Sequence, residues 1–314
     1  MPSLVLSRVL TAIPVLLLVA LITFLILHLI PGDPAVVMAG LDATPDQVAA
    51  LREMLRLDRS LPEQFVSWLG SALTGDLGQS LVYSRPVVAV ITERLPVTLS
   101  LGAFSLLISI PLGIVLGVLA ALMRGSVLDA AITSSALLGL SLPNFWLGLM
   151  FVLLFSVQLG WLPSAGYSTP DQGLWPWVRS MILPAVVLGT AQIGLLARIT
   201  RSTVLEVLGL DYIRTARAKG LSEGRVVVRH ALRNAMIPIV TVIGTMFSLL
   251  VGGAVVTEAV FAIPGIGRLV IQSILSRDYP VVQGVLMFTA ASFVLINLVV
   301  DIAYTYLDPR VSYD

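Results

Sequence analysis

Few residues of this 314-residue chain are of a type that does covalent chemistry. There is no cysteine, so no disulfide, thiolate metal site or thiol nucleophile is available. Two histidines, His28 and His230, leave little for a metal centre, and neither opens an HExxH zinc motif. The single lysine, Lys219, stands in "RAKGL" behind Ala218. A phosphate-cradling P-loop needs Gly-Lys followed by Ser or Thr, so ATP hydrolysis by this chain is not expected. His28 reads as a packed or interfacial side chain and His230 as a surface one.

The charged residues instead concentrate in one segment. "DYIRTARAKGLSEGRVVVRH", residues 211–230, carries five of the nineteen Lys and Arg. Asp211 suits a helix N-cap, Tyr212 to Lys219 a short helix, and Gly220 a left-handed stop. Ser222 suits the cap of a second helix on which Arg225, Arg229 and Arg233 recur every four residues, sharing one face as far as Pro238. Three readings fit: a loop held inside by its charge, an interfacial amphipathic helix, or a docking helix for a soluble partner.

The surrounding chain is apolar. Hydrophobic residues make up 57% and charged residues 12%, against about 25% charged in a soluble domain, and the mean hydropathy is +0.97. These values define an all-α integral membrane protein. About six spans are expected, near 9–30, 97–122, 130–158, 181–200, 236–257 and 281–304, each long enough for a bilayer. The first reads as an uncleaved span, because "LHLIPGDP" offers no small-residue cleavage site. Arg8, Arg124, the eight basic residues from Arg198 to Arg233, and Arg310 all fall on one side. Short cytoplasmic loops are rich in Lys and Arg, so both termini are expected in the cytoplasm.

One membrane domain, 1–314, then carries two excursions. Residues 31–96 form an outer helical insertion: in "TPDQVAALREMLRL", Thr44 can cap, Pro45 suits the first helical position and Gln47 completes a capping box. A second short helix carries Phe65, Trp68 and Leu69, and 159–180 is a loop rich in Gly, Pro and Trp. The other excursion is the cytoplasmic loop, 201–235. Polar residues inside spans are costly and so mark candidate pathway positions. Asn144, after Pro143, and Glu258, before "FAIPGIG", are the candidates for a substrate pathway or gate; polar packing between helices and a capping carboxylate are the alternatives. Gln192 and Asn297 read like Asn144, and "GIVLG", Gly113 to Gly117, permits close helix contact. Interrupted helices at Pro111, Pro143 and Pro184 would suit an ATP-independent secondary transporter or channel. No Asp, Glu or Lys lies mid-span to couple an ion, which weighs against that alternative.

The loop "YIRTARAKGLSEGRVVVRHALRNAMIPIV" resembles the cytoplasmic signature of binding-protein-dependent ABC importer permeases of the dipeptide and oligopeptide family. "PGDPA", "GDLGQS", "RLPVTLSL", "SLPNFWLG", "EAVFAIPGIGRLV" and "YLDPRV" extend the resemblance along nearly the whole chain. The general signature opens with Glu-Ala-Ala six residues before its glycine; here Arg214, Thr215 and Ala216 stand there. The resemblance implies a type I importer permease fold and a multi-pass protein of the bacterial cell membrane, in contact with membrane lipid. It also implies a second homologous permease subunit, two cytoplasmic ABC ATPase subunits that bind ATP and Mg, and an extracytoplasmic substrate-binding protein. No cofactor, metal or nucleic acid is implied for this chain. Tyr212, Arg214, Thr215, Ala216, Lys219, Gly220 and Leu221 would form the coupling helix seated in an ATPase cleft, and the cargo would be a di- or oligopeptide.

Overall fold

The computed structural model describes residues 2–29, 35–36, 43–54 and 57–307. Among these the regular structure is helical, with a single isolated β-bridge between Gln79 and Pro86. The chain divides into two compact units: Met1–Val97 with Gly265–Leu298, and Thr98–Pro264 with Val299–Asp314.

In the first unit, α1 (Pro2–Leu29) lies near α3 (Leu61–Leu73), which follows α2 (Pro45–Met54). The expected capping box is present: the Thr44 amide donates to Gln47 Oε1 at 2.9 Å and the Gln47 amide to Thr44 Oγ1 at 3.4 Å. Phe24 of α1 meets Phe65 edge to face, ring centroids 5.4 Å apart, with Trp68 close by. The side chain of His28 lies outside the described residues, as do most of "PGDPA" and "YLDPRV". A tight turn over 79–86 leads into α4 (Val87–Leu122), whose opening residues Val87, Val90 and Ile91 pack on Ile266 and Leu269 of α10 (Ile266–Leu275) and Val281 and Val285 of α11 (Tyr279–Leu307). The turn is held by the fully buried Asp278. Its carboxylate accepts from the Ser80 hydroxyl and from the amides of Leu81 and Val82 at 3.1 and 3.2 Å.

The second unit is built round α7 (Leu174–Leu208). The later part of α4 lies along it in parallel: Ser109 meets Gln192, Gly113 faces Leu196 and Gly117 faces Thr200, each pair four residues further along both helices. On another side α5 (Val127–Ser141) runs antiparallel, with Gly194 on Ala136 and Gly139 on Thr190. Glycine is what allows these approaches. A Cβ at Gly117 would stand 2.6 Å from the Ala197 carbonyl oxygen, and one at Gly194 2.5 Å from that of Ala136.

Two boundaries differ from expectation. The single span over 130–158 is broken: α5 ends at Ser141, and α6 (Asn144–Phe151) with its π-helical continuation Val152–Gln158 leaves at 110°. Pro143, at the N-cap of α6, lacks the amide an unbroken helix would need and disfavours helical geometry in the residue before it. The loop at 159–180 is shorter than its composition suggested, because helix α7 starts at Leu174 and carries Trp175, Trp177 and Arg179. Three helices are long and apolar enough to cross a membrane among the described residues, Val87–Leu122, Leu174–Leu208 and Tyr279–Val300, or five if each bent pair is one span.

The glycine contacts make a thermal prediction. Helix propensity favours Ala over Gly by about 1 kcal/mol, whereas forcing atoms into a packed contact costs about 1–3 kcal/mol. Gly194→Ala should therefore lower the unfolding midpoint in detergent, and Gly70→Ala, whose Cβ has nothing within 4 Å, should leave it unchanged or raise it. Scanning fluorimetry on both variants checks this; equal midpoints would refute the contact.

Candidate functional site

The charged segment folds as a short capped helix between two long ones. α7 ends at Leu208, and after Gly209 and Leu210 the chain enters α8 (Asp211–Ala218). Eight residues are too few for a stable isolated helix in water. Ile213 and Ala216, three apart on one face, supply what is missing: both are buried, in the same apolar cluster as Val204 and Val207 of α7 and Ala235 and Ile239 of α9 (Leu232–Val260). The rest of the helix surface is exposed and bears Arg214, Thr215 and Arg217, with Lys219 exposed just past its end.

The stop at Gly220 is a Schellman motif. Gly220 has φ +78°, its amide donates to the Arg217 carbonyl at 2.9 Å, and the Leu221 amide donates to the Ala216 carbonyl at 3.4 Å. Leu221 packs against the cluster that holds Ala216, the apolar contact that accompanies this motif. Across the turn Arg217 grips Glu223 with two nitrogens, Nε to Oε2 at 3.0 Å and Nη2 to Oε1 at 2.5 Å. This hydrogen-bonded pairing raises the Arg217 pKa above its ordinary value. Both side chains are largely exposed, so the pair contributes little stability and its role is to fix the angle of the turn.

Several expectations for this segment are corrected. Asp211 is not the N-cap. It is the first residue of α8, where its carboxylate favours the positive helix end and accepts from Arg214 at 3.3 Å. Ser222 stands at the N-cap position of the next turn, Glu223–Arg225, without a side-chain capping bond. That turn passes into a π-helix, Val226–Ala231, before α9. The π-helical stretch buries Val226, Val227 and Ala231. Arg225, Arg229 and Arg233 are all exposed. The run Gly220 to Gly224 also spells G-x-S-x-G, but a nucleophile elbow requires a strand before the serine, and here a helix precedes it.

Tyr212 does something its position alone did not reveal. Its hydroxyl donates to the His230 carbonyl at 3.3 Å and accepts from Asn234 Nδ2 at 2.5 Å. The residue joins α8 to the root of α9. The sequence reading also passed over Asp129 and Arg201. Arg201, on α7, donates from Nε and Nη2 to the two carboxylate oxygens of Asp129, on α5, at 2.6 and 2.8 Å.

The two pathway candidates lie apart from α8 in the chain. Asn144 is half-buried at the start of α6, directly after the break. Glu258, near the end of α9, is fully buried and accepts from the Thr98 hydroxyl at 2.6 Å. Gln192 accepts from Ser109 at 3.2 Å, and Asn297 bonds the Phe293 carbonyl of its own helix at 2.9 Å, both packing roles.

Long apolar helices meeting at glycines, with one compact charged helix between two of them, are the architecture of a multi-pass membrane protein. The fold is similar to that of a chain in the MetNI methionine ABC transporter, solved in inward-facing conformations: TM-score 0.50 at 21% identity, covering 72% of this chain and 96% of that one. Residues 113–313 match the family described as binding-protein-dependent transport system inner membrane component, and residues 1–102 match its N-terminal family. A putative peptide transport system permease protein of Brucella abortus is 53% identical over the full length of both chains. A probable peptide ABC transporter permease of Sinorhizobium fredii is 45% identical over 98% of this chain and 99% of its own. The chain belongs to the family of inner membrane components of binding-protein-dependent transport systems.

Tyr212→Phe keeps the ring and removes both hydrogen bonds. A net hydrogen bond is worth about 0.5–1.5 kcal/mol, so amide exchange across 211–218 should quicken by about two- to tenfold per bond. Hydrogen-exchange mass spectrometry should find α7 unchanged. Equal exchange in 211–218 would show that the hydroxyl holds nothing.

Proposed function

We propose that this chain is one of two permease subunits forming the translocation pathway of an ATP-driven importer of di- or oligopeptides. In this reading the chain lies in the bacterial inner membrane with both termini cytoplasmic, an orientation that the arginine distribution supports. An extracytoplasmic binding protein delivers the peptide to the outer face. Two cytoplasmic ATPases bind ATP and Mg and perform the hydrolysis, since the single lysine of this chain, Lys219, does not stand in a P-loop. Family membership and the peptide-permease relatives support this reading.

The observation that carries the coupling role is the form of α8: one face buried against α7 and α9, the other charged and exposed, closed by a Schellman motif. In this reading Arg214, Thr215 and Lys219 face the ATPase, Ala216 and Leu221 anchor the helix, Tyr212 ties it to α9, and Gly220 sets its end. Closure of the ATPase pair then displaces a rigid lever attached to two spans, and the cavity between the permeases alternates between outward and inward openings. The elbow at Asn144 and the buried Glu258 are the pathway or gate positions.

The test is reconstitution in proteoliposomes of this chain with its partner permease and ATPases. Labelled peptide presented on the binding protein should enter only with ATP, and uptake by this chain alone would overturn the proposal. Gly220→Val forces a β-branched residue into a left-handed conformation, at a cost of about 1–3 kcal/mol. It should insert normally yet lose uptake about tenfold, while Gly220→Asn, a residue that tolerates this conformation, keeps most of it.

A further inference from the structure

The ion pair between Asp129 and Arg201 is built with more care than an electrostatic accident requires. Asp129 is 6% exposed, and each of its oxygens receives two donors. Oδ1 accepts from Arg201 Nε at 2.6 Å and the Thr133 hydroxyl at 3.3 Å; Oδ2 accepts from Arg201 Nη2 at 2.8 Å and the Gly125 amide at 3.0 Å. The Asp129 amide itself donates to Ser126 Oγ, the N-cap of α5. The carboxylate is thus fixed to the start of α5 before Arg201 reaches it, and the planar guanidinium then fixes α7 to that point in both direction and distance.

Position gives the pair its meaning. Going along α5 from Asp129 to Ala136 to Gly139, the partners on α7 run back from Arg201 to Gly194 to Thr190. The three contacts form one antiparallel seam. Two of them are glycine approaches that resist compression and not separation. The third is the fork, and it sits at the end of the seam nearest α8, seven residues before α7 ends. At the other end of α5 is the 110° break that leads to Asn144 and α6, and Gly148 of α6 abuts Val260 and Phe261.

Resting on the coupling role proposed above, we infer that Asp129 and Arg201 are a positioning pair that obliges α5 to travel with α7, so that displacement of α8 reaches the α5–α6 elbow. The pair converts movement of the lever into movement of the pathway wall. The pair is partly buried, with the Arg201 side chain 29% exposed, and such a pair is poorly explained as a device for stability, since well-packed apolar replacements are often as stable or more so.

The experiment measures peptide imported per ATP hydrolysed in reconstituted complexes containing Arg201→Lys, Asp129→Asn, or the apolar pair Asp129→Leu with Arg201→Met, after confirming assembly by size-exclusion chromatography. Lys keeps the charge and loses the fork. Arg201→Lys and Asp129→Asn complexes should hydrolyse ATP near the wild-type rate and import about tenfold less peptide per ATP. The apolar pair should recover the wild-type unfolding midpoint while its import per ATP stays low. The inference is overturned if Arg201→Lys imports normally per ATP, if uptake and hydrolysis fall in proportion with assembly, or if the apolar pair restores coupling along with stability. A wild-type complex that shows no ATP-dependent uptake would instead refute the importer reading itself.

Discussion

Close contact of backbones along α7 is the constraint on which the second unit depends. Lipid tails are as apolar as leucine, so helices inside a bilayer gain little from hiding apolar surface from one another and must gain from packing instead. α7 achieves this on two sides. Gly113 and Gly117 let α4 descend onto Leu196 and Thr200, and Gly194 and Gly139 let α5 do the same from the opposite direction. The resulting helix is buried over much of its length, including Leu196, Ala197, Thr200, Val204 and Val207. A helix held this way moves as a body or not at all.

The proposed coupling role would give α8 that rigid body to act on. A helix of two turns transmits force only if its ends are fixed and one face is bound, and α8 has both. Ile213 and Ala216 are set into the same apolar cluster as residues of α7 and α9. Tyr212 fastens its first turn to His230 and Asn234, and the Schellman turn with the Arg217–Glu223 fork fastens its last. The exposed residues carry the cations and contribute little to the fold.

Much of this was legible in the residues. The Thr44–Gln47 capping box, the left-handed Gly220 and the extent of the short helix before it follow from local rules, because each involves groups within a few residues of one another. The close helix contact at "GIVLG" was also visible as a spacing of small side chains. Other features were misread for identifiable reasons. Of the interruptions expected at Pro111, Pro143 and Pro184, the one at Pro143 breaks its span, whereas α4 and α7 run through the other two prolines. The segment after Ser222 was expected as one regular helix, and a π-helix at 226–231 interrupts it. Asp211 has the composition of a cap, but Leu210 occupies that position.

The sequence by itself determined that this is a helical membrane protein of spanning apolar segments with one charged, capped loop, since composition, periodicity and caps act locally and leave their marks in order along the chain. Only the tertiary structure decided what those segments do for one another. Asp129 and Arg201 lie 72 positions apart, Tyr212 and Asn234 lie 22 apart, and Glu258 finds Thr98 across 160. No spacing rule links such residues, because their partnership is set by which helix faces are brought together, and that depends on packing summed over the whole unit.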